Sequence, residues 1–516
     1  MLDGRRLVIG AGGRAPTYRW QMDSLWQTEH VTIQGDAFPY EEQVDVAVVG
    51  AGIAGLTSAL LFARAGQRVV VLEAREIGAG ATGRTTAKVS QLQGTMLQSI
   101  RGRTLSPVVG AYLASQRAAF DWLLTFAEQS GVRIERRAAL SYAATPGGRD
   151  AVENEARIAV EHGLPVELIE DAGLPFPTFG AARLADQAQL DPLELLAALT
   201  RELRSLGGLV VTGARVTGVR ASAPALVRTT AGELTARKVV LATGTPILDR
   251  GLYFAKLAAR RSYAQAWQVP QDQLPDGMFL GVETPTRSVR TATRLDGRTL
   301  LLTGGNGHPV GRRASPQGAA DELASWTRTW WADAEPIASW SAQDYLTPHG
   351  VPFVGWLPRG RGRIYLATGF SKWGMTNAVA TALTLVEDIL GTGDAPHWQT
   401  VLHRRLTIPA AIAVGVGENA AVASWYFRGW ARALAKPLSS AEIEGTGQLG
   451  RHGMLPTASS TVDGTTKSLC AICPHLGAIV TWNDFERSWD CPAHGSRFAP
   501  DGSVLEGPAT RAMARR

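Results

Sequence analysis

Short, nearly continuous apolar runs and longer runs at helical spacing alternate through the first part of the chain. "VDVAVV" (Val44–Val49) and "RVVVLE" (Arg68–Glu73) carry hydrophobic residues at almost every position, as strands buried on both faces of a parallel sheet require. Between them "LTSALLFARAG" (Leu56–Gly66) has apolar residues at helical spacing and ends on glycine, which predicts a helix and its stop. Farther on, "ARKVVLATGTP" (Ala236–Pro246) reads as another buried strand, and "GRIYLATGFSKWGMTNAVATALTLVEDILG" (Gly362–Gly391) as strand, turn and helix. The pattern changes after residue 396. Residues 397–436 read as mostly helical, with Trp425, Phe427 and Trp430 offering apolar contacts between domains. "AIVTW" and "SRFAPDGSVLEGP" alternate like the short strands and hairpins of a small β-domain.

The turn after "VDVAVV" has chemistry of its own. Gly50, Gly52 and Gly55 follow the G-x-G-x-x-G spacing, and Glu73 ends the second strand 18 positions later. Gly50 permits the tight turn, Gly52 lets backbone approach a pyrophosphate, and Gly55 lets helix pack on strand. The helix N-terminus offers N–H groups to phosphate, and the carboxylate reaches ribose hydroxyls. Together these predict a dinucleotide site.

"EIGAGATGRTTAKVSQL" (Glu76–Leu92) then places a glycine-rich loop directly after the acid. With "ARKVVLATGTP", the closing "GRIYLATGFSKWGM" and its lead-in "QDYLTPHGVPFVG" (Gln343–Gly355), this resembles the flavoproteins of the glycine oxidase and D-amino-acid oxidase superfamily. The resemblance implies an α/β FAD-binding domain of Rossmann-like, glutathione-reductase type, with an inserted α+β substrate domain. It also implies FAD contacts at Thr243, Gly244, Gly369, Gly374 and Met375, beside Gly50, Gly52, Gly55 and Glu73. No cysteine precedes Cys470, so the flavin is expected to be held without a cysteinyl link.

All three cysteines, Cys470, Cys473 and Cys491, lie within 22 positions near the C-terminus. Three clustered thiols make no disulfide framework and favour a metal in a reducing compartment, so a cytoplasmic location is expected. Cys473-Pro-His475 and Cys491-Pro-Ala-His494 supply two Cys/His pairs separated by 15 residues. Zinc takes such ligands, but this spacing is unusual for zinc. With "HLG", "WDCP" and "HGSRF" around it, the stretch resembles a Rieske [2Fe–2S] domain, in which two cysteines hold one iron and two histidines the other. Many Rieske domains add a disulfide; the resemblance puts its partners at Ala478 and Ala493, so packing and backbone bonds must hold the loops here. Ser496 stands where high-potential centres donate a hydroxyl to sulfur. Phe498 replaces the tyrosine often found there, which predicts a moderate potential.

The domains expected are an N-terminal extension (1–43), an oxidoreductase (44–395) with substrate-domain segments at about 135–195 and 255–345, a helical linker (396–436) and a Rieske domain (437–516). Met22 reads as a true start, residues 1–21 as a disordered extension, and "GAGG" at Gly10–Gly13 as a chance likeness. Residues 437–460 carry weak strand signals. The net charge of +6 forms no basic block interleaved with aromatics, which argues against nucleic acid. "TIPAAIAVGVGENAAVASWYF" is broken by Glu418 and Asn419, so no integral membrane segment is expected.

In amine oxidases of the superfamily a lysine often binds a substrate carboxylate two residues after the second glycine of "GFxxxG". Here that position is Thr376. Arg290 is the alternative, with Tyr263, Lys372 and Trp373 as further catalytic candidates. The expected function is a dehydrogenase of an amine or amino-acid-like compound, passing electrons through FAD and the cluster to an external acceptor. An electron-transfer module fed by a partner protein, or a redox sensor, are the alternatives.

Overall fold

The valine-rich run from Gln43 sits at the centre of a parallel sheet, because its side chains fill both faces. The computed structural model describes residues 22–30, 32–40, 42–391, 393, 395–438 and 443–515. In it strand Gln43–Val49 lies between Val69–Leu72 and Glu233–Leu241, with Val46 opposite Val69 and Val44 opposite Ala236. Leu209–Val211 extends the sheet on one side. Ile364–Thr368, parallel, and Phe353–Trp356, antiparallel, extend it on the other. Helices Ile53–Arg64, Pro192–Ser205 and Gly374–Leu390 share a hydrophobic core with this sheet.

A second sheet of nine strands is largely antiparallel. From one edge it runs Glu335–Leu346, Ala258–Gln268, Thr299–Pro309, Arg287–Thr293, Met278–Gly281, Ile134–Tyr142, Ala181–Leu190 and Lys88–Val89, with Glu167–Ile169 also paired to Ala181–Leu190. Helix Pro316–Trp330 packs on its Thr299–Pro309 strand. The C-terminal part holds a three-stranded sheet, Gly447–His452, Leu455–Val462 and Thr465–Cys470. A four-stranded sheet follows, Thr481–Asn483, Ser488–Asp490, Arg497–Phe498 and Val504–Glu506. Residues 447–462 are thus regular strands despite their weak signal.

Residues 22–30 are tied to the body of the protein. Helix Leu25–Glu29 buries Leu25 and Trp26, and Ser24 closes a capping box with Gln27. Trp26 Nε1 donates to the Thr85 carbonyl at 2.8 Å, and Ser24 Oγ to the Gly83 carbonyl. A single short turn carries too little periodicity to be read from sequence. Residues 1–21, with Gly10–Gly13, lie outside the described residues.

The long helix Pro409–Ala435 bridges the two halves. Glu418 pairs with Arg312 at 2.8 Å and Arg260 at 3.4 Å on the oxidoreductase side. Val422, Tyr426 and Trp430 pack on the C-terminal core, and Trp430 Nε1 donates to the Gly477 carbonyl at 3.1 Å. Phe427, expected as an apolar contact, is instead 72% exposed: it falls on the outer face. Among the described residues no helix is long and apolar enough to cross a membrane.

Candidate active site

One cleft of about 960 Å³ takes walls from both large sheets and from the C-terminal domain. At one end lie Gly50 and Gly52, Glu73, Thr82, Thr243 and Gly244. Gly50 has φ +107°, and a Cβ there would stand 2.6 Å from the Ala242 carbonyl. A Cβ on Gly55 would collide with the Gly50 carbonyl, so this glycine serves helix-on-strand packing and does not line the cleft. Glu73 is positioned by backbone, accepting from Ala51 N–H at 2.8 Å and Arg75 N–H at 2.9 Å. Arg75 and Arg215 line the same end. The sequence reading missed them, because arginines outside the motif carry no spacing signal.

The other end is a chamber between the second sheet and the turn before helix Gly374–Leu390. Helix Gly374–Leu390 points its N-terminus into it, with Trp373, Gly374 and Met375 in the wall. Gly369 (φ +78°) is not in the wall; its α-carbon packs against Thr347 and Leu257. Ser371 and Lys372 both hold left-handed backbone, φ 52° and 71°, a strain of about 1–3 kcal/mol each that structures tolerate at functional turns. The Lys372 N–H donates to the Asp344 carboxylate, and burial lowers the Lys372 ammonium pKa. Tyr263 is in the wall, its hydroxyl 2.9 Å from His308 Nε2. Thr376 is buried behind it, taking a bond from Gln93 Nε2 at 3.1 Å.

Arg290 requires a correction. It shares a strand face with Ser288, which lines the chamber, but its guanidinium turns to the Thr86 and Thr291 carbonyls and lies 5.5 Å from the Trp26 ring. The N-terminal helix thus covers Arg290, which does not line the cleft. Lys88 is a basic residue of the chamber wall that sequence reasoning overlooked. Its Nζ donates to the Phe279 carbonyl at 2.8 Å and to Ser288 Oγ. Burial, with Arg290's charge added, brings its pKa down to about 7.

The four predicted metal ligands lie on two C-terminal loops as a cysteine pair and a histidine pair, and among the described residues no group of three or more is placed to hold a single metal ion. Cys473 and Cys491 are buried, and their mutual interaction holds the Cys473 thiol below its ordinary range and pushes that of Cys491 up. The rings of His475 and His494 lie 5.1 Å apart. His494 is pushed down to about 4 by burial and by His475 beside it, so it is neutral and fit to ligate. Nδ1 of His475 is buried with no hydrogen-bond partner, while its Nε2 lies 2.8 Å from Asp249 Oδ1. That orphaned nitrogen, beside two buried sulfurs, fits a group that bonds at Nδ1. Cys473 N–H to Ala478 O (2.8 Å) and Cys491 N–H to Ser496 O (2.8 Å) close the two loops, and both Ala478 and Ala493 are buried. Anaerobically purified protein should contain iron and acid-labile sulfide in equal amounts. Stoichiometric zinc without sulfide would contradict this ligand assignment.

The histidine end of this site faces the oxidoreductase. Phe254 meets both imidazoles edge-on, at 5.2 and 4.9 Å between ring centres. Gln343 Nε2 bonds both the Tyr345 hydroxyl and the Gly495 carbonyl, each at 2.8 Å. Tyr345 lines the cleft, and so do Leu505, Glu506 and Gly507 of the C-terminal domain. Beneath this seam the Glu486 carboxylate accepts from Arg261 and Arg497 and pairs with Arg84 at 3.4 Å.

Known proteins agree with this division. The FAD dependent oxidoreductase family (DAO) matches residues 45–387, and the Rieske [2Fe-2S] domain family matches residues 438–515. YhfW of Bacillus subtilis (strain 168), named as a Rieske 2Fe-2S iron-sulfur protein, is 29% identical over 95% of this chain and 97% of its own. A cytochrome b6-f complex iron-sulfur subunit of Synechococcus sp. (strain JA-3-3Ab) is 37% identical over 16% of this chain and 52% of its own. Glycine oxidase from Geobacillus kaustophilus superposes with a TM-score of 0.58 at 22% identity, covering 68% of this chain and 95% of that one. L-amino acid deaminase from Proteus vulgaris gives 0.58 at 14%, over 70% and 96%. The chain therefore belongs to the FAD dependent oxidoreductase (DAO) family and carries a C-terminal Rieske domain, binding FAD and a [2Fe–2S] cluster.

Proposed function

We propose that the protein oxidises an amine or amino-acid-like compound at the carbon next to nitrogen and delivers the electrons, by way of its Rieske domain, to an external acceptor. When bound, FAD supplies two-electron oxidation and the cluster supplies one-electron transfer. The observation that carries the reading is the shared cleft. Leu505–Gly507 of the Rieske domain forms part of its wall, and the Tyr345–Gln343–Gly495 bridge leads from that wall to the residue beside His494. Gly50, Gly52, Glu73, Thr243 and Gly244 would hold the dinucleotide, with Trp373, Gly374 and Met375 at the chamber end. Cys473 and Cys491 would hold one iron, His475 and His494 the other.

Within the chamber Lys88 is placed to take a proton from the substrate's ammonium group. As a neutral amine it spends both N–H bonds on Phe279 O and Ser288 Oγ, which leaves its lone pair free. Lys372 adds a second amine to the chamber wall, and Trp373 and Tyr263 shape it. With a pKa near 7, Lys88 is protonated below that pH and neutral above it. kcat/KM for the wild type is therefore expected to rise with pH through about 7. Lys88→Met should lose that limb and about 10²–10⁴-fold in rate, the range for a general base. An unchanged limb in the variant would assign the proton to another group.

Anaerobic addition of an amine and amino-acid panel tests the substrate class. Flavin bleaching by a member of the panel supports it. Bleaching only by a partner reductase would favour an electron-transfer module, and bleaching by neither would favour a sensor.

A further inference from the structure

A second concave surface lies beside His475, joined to it through Asp249. Arg220, Arg250, Arg359 and Arg361 line an open concavity of about 750 Å³, and Asp249 is its one acidic residue. Among the described residues none of the four arginines is ion-paired. Arg250 donates only to the Val219 and Arg359 carbonyls, at 3.0 and 3.4 Å. Arg359 and Arg361 are exposed on the turn between Phe353–Trp356 and Ile364–Thr368. Asp249 is committed elsewhere, through its 2.8 Å contact with His475 Nε2, yet remains 54% exposed.

That contact makes the concavity continuous with the cluster ligands. The rest of the histidine face is closed by Phe254 and by the Gln343 bond to Gly495, so Asp249 marks the side open to solvent. Leu252 and Trp356, on the same two segments, are 56% and 65% exposed. Arginine with an exposed aromatic is the composition of a protein docking face rather than of a small-anion pocket.

We propose that this arginine-lined concavity docks a small acidic one-electron carrier protein over Asp249 and His475. The inference rests on the reading that the cluster exchanges electrons with an external partner. One electron leaves the reduced cluster and enters the carrier's oxidised centre; no bond forms and no proton moves. Complementary charge steers the encounter and makes its rate salt-dependent.

The test uses holoprotein whose cluster is reduced with dithionite, freed of excess reductant and mixed anaerobically with oxidised cytochrome b5, an acidic carrier, or cytochrome c, a basic one. The wild type should reoxidise faster with cytochrome b5 at low salt, with a rate that falls steeply as salt rises. Arg359→Glu with Arg361→Glu should cut that rate by about tenfold or more and leave the rate with neutral benzoquinone unchanged. An unchanged cytochrome b5 rate, an equal loss with benzoquinone, or a preference for cytochrome c would overturn the proposal. Because dithionite loads the cluster, failure of amine oxidation does not disturb this result. Failure of docking, in turn, leaves flavin bleaching by substrate intact.

Discussion

Replacing Gly52 by valine is expected to give folded protein that keeps its iron and sulfide but purifies largely without FAD. The three glycines of the motif differ in what a side chain would meet. At Gly50 the left-handed backbone and the Ala242 carbonyl forbid a Cβ, and at Gly55 the Gly50 carbonyl does; valine at either position damages the sheet itself. Gly52 has ordinary extended backbone, φ −85° and ψ −177°, as the N-cap of helix Ile53–Arg64. A Cβ there meets only Thr82 Oγ1, at 3.0 Å, and the valine methyls would project into the cleft. Overpacking costs about 1–3 kcal/mol, or roughly 5- to 150-fold in affinity, before any loss of phosphate contacts at the helix N-terminus. Flavin absorbance against iron content reads the outcome. Full flavin in this variant would place the pyrophosphate elsewhere.

Glu486→Ala should weaken the seam between the Rieske domain and the oxidoreductase. The variant leaves Arg261 buried without its carboxylate partner, an uncompensated charge worth about 3–5 kcal/mol, while Arg497 keeps Asp490 and Glu506. Typical total stabilities are about 5–15 kcal/mol, so the loss should be plain in thermal unfolding. Burial alone would raise the Glu486 carboxyl pKa, but Arg261, Arg497 and Arg84 together hold it below its usual range. A depressed carboxylate contributes stability above its unfolded pKa and loses it as pH falls through the folded one. The gap between wild type and variant should therefore be largest above about pH 5 and shrink below about pH 4. A gap that widened in acid would mean that Glu486 is not the charged partner.

The dinucleotide cradle and the metal loops were legible because their chemistry is written in scarce residues at fixed spacing. Gly50 and Gly55 report backbone crowding directly, and the cysteines are too few to be placed by accident. What escaped was long-range. Glu486 and Arg261 are 225 positions apart, and Asp249 and His475 are 226 apart; no periodicity connects them. Arg290 failed for a related reason. Strand alternation puts it on Ser288's face, but the covering Trp26 comes from a helix too short for its pattern to show. Lys88 was hidden because its significance lies in burial, which the sequence around "TAKVS" does not reveal.

The central claim, that electrons taken at the flavin end of the cleft reach the Rieske cluster within one chain, has a direct measurement. A limiting amount of a bleaching substrate is added anaerobically to dilute holoprotein without mediator, and flavin absorbance and the cluster's EPR signal are followed together. The shared cleft wall and the Gln343 bridge predict that the reduced-cluster signal rises as flavin absorbance falls, at a rate independent of protein concentration. Flavin that bleaches while the cluster remains EPR-silent until a mediator is added would contradict the account.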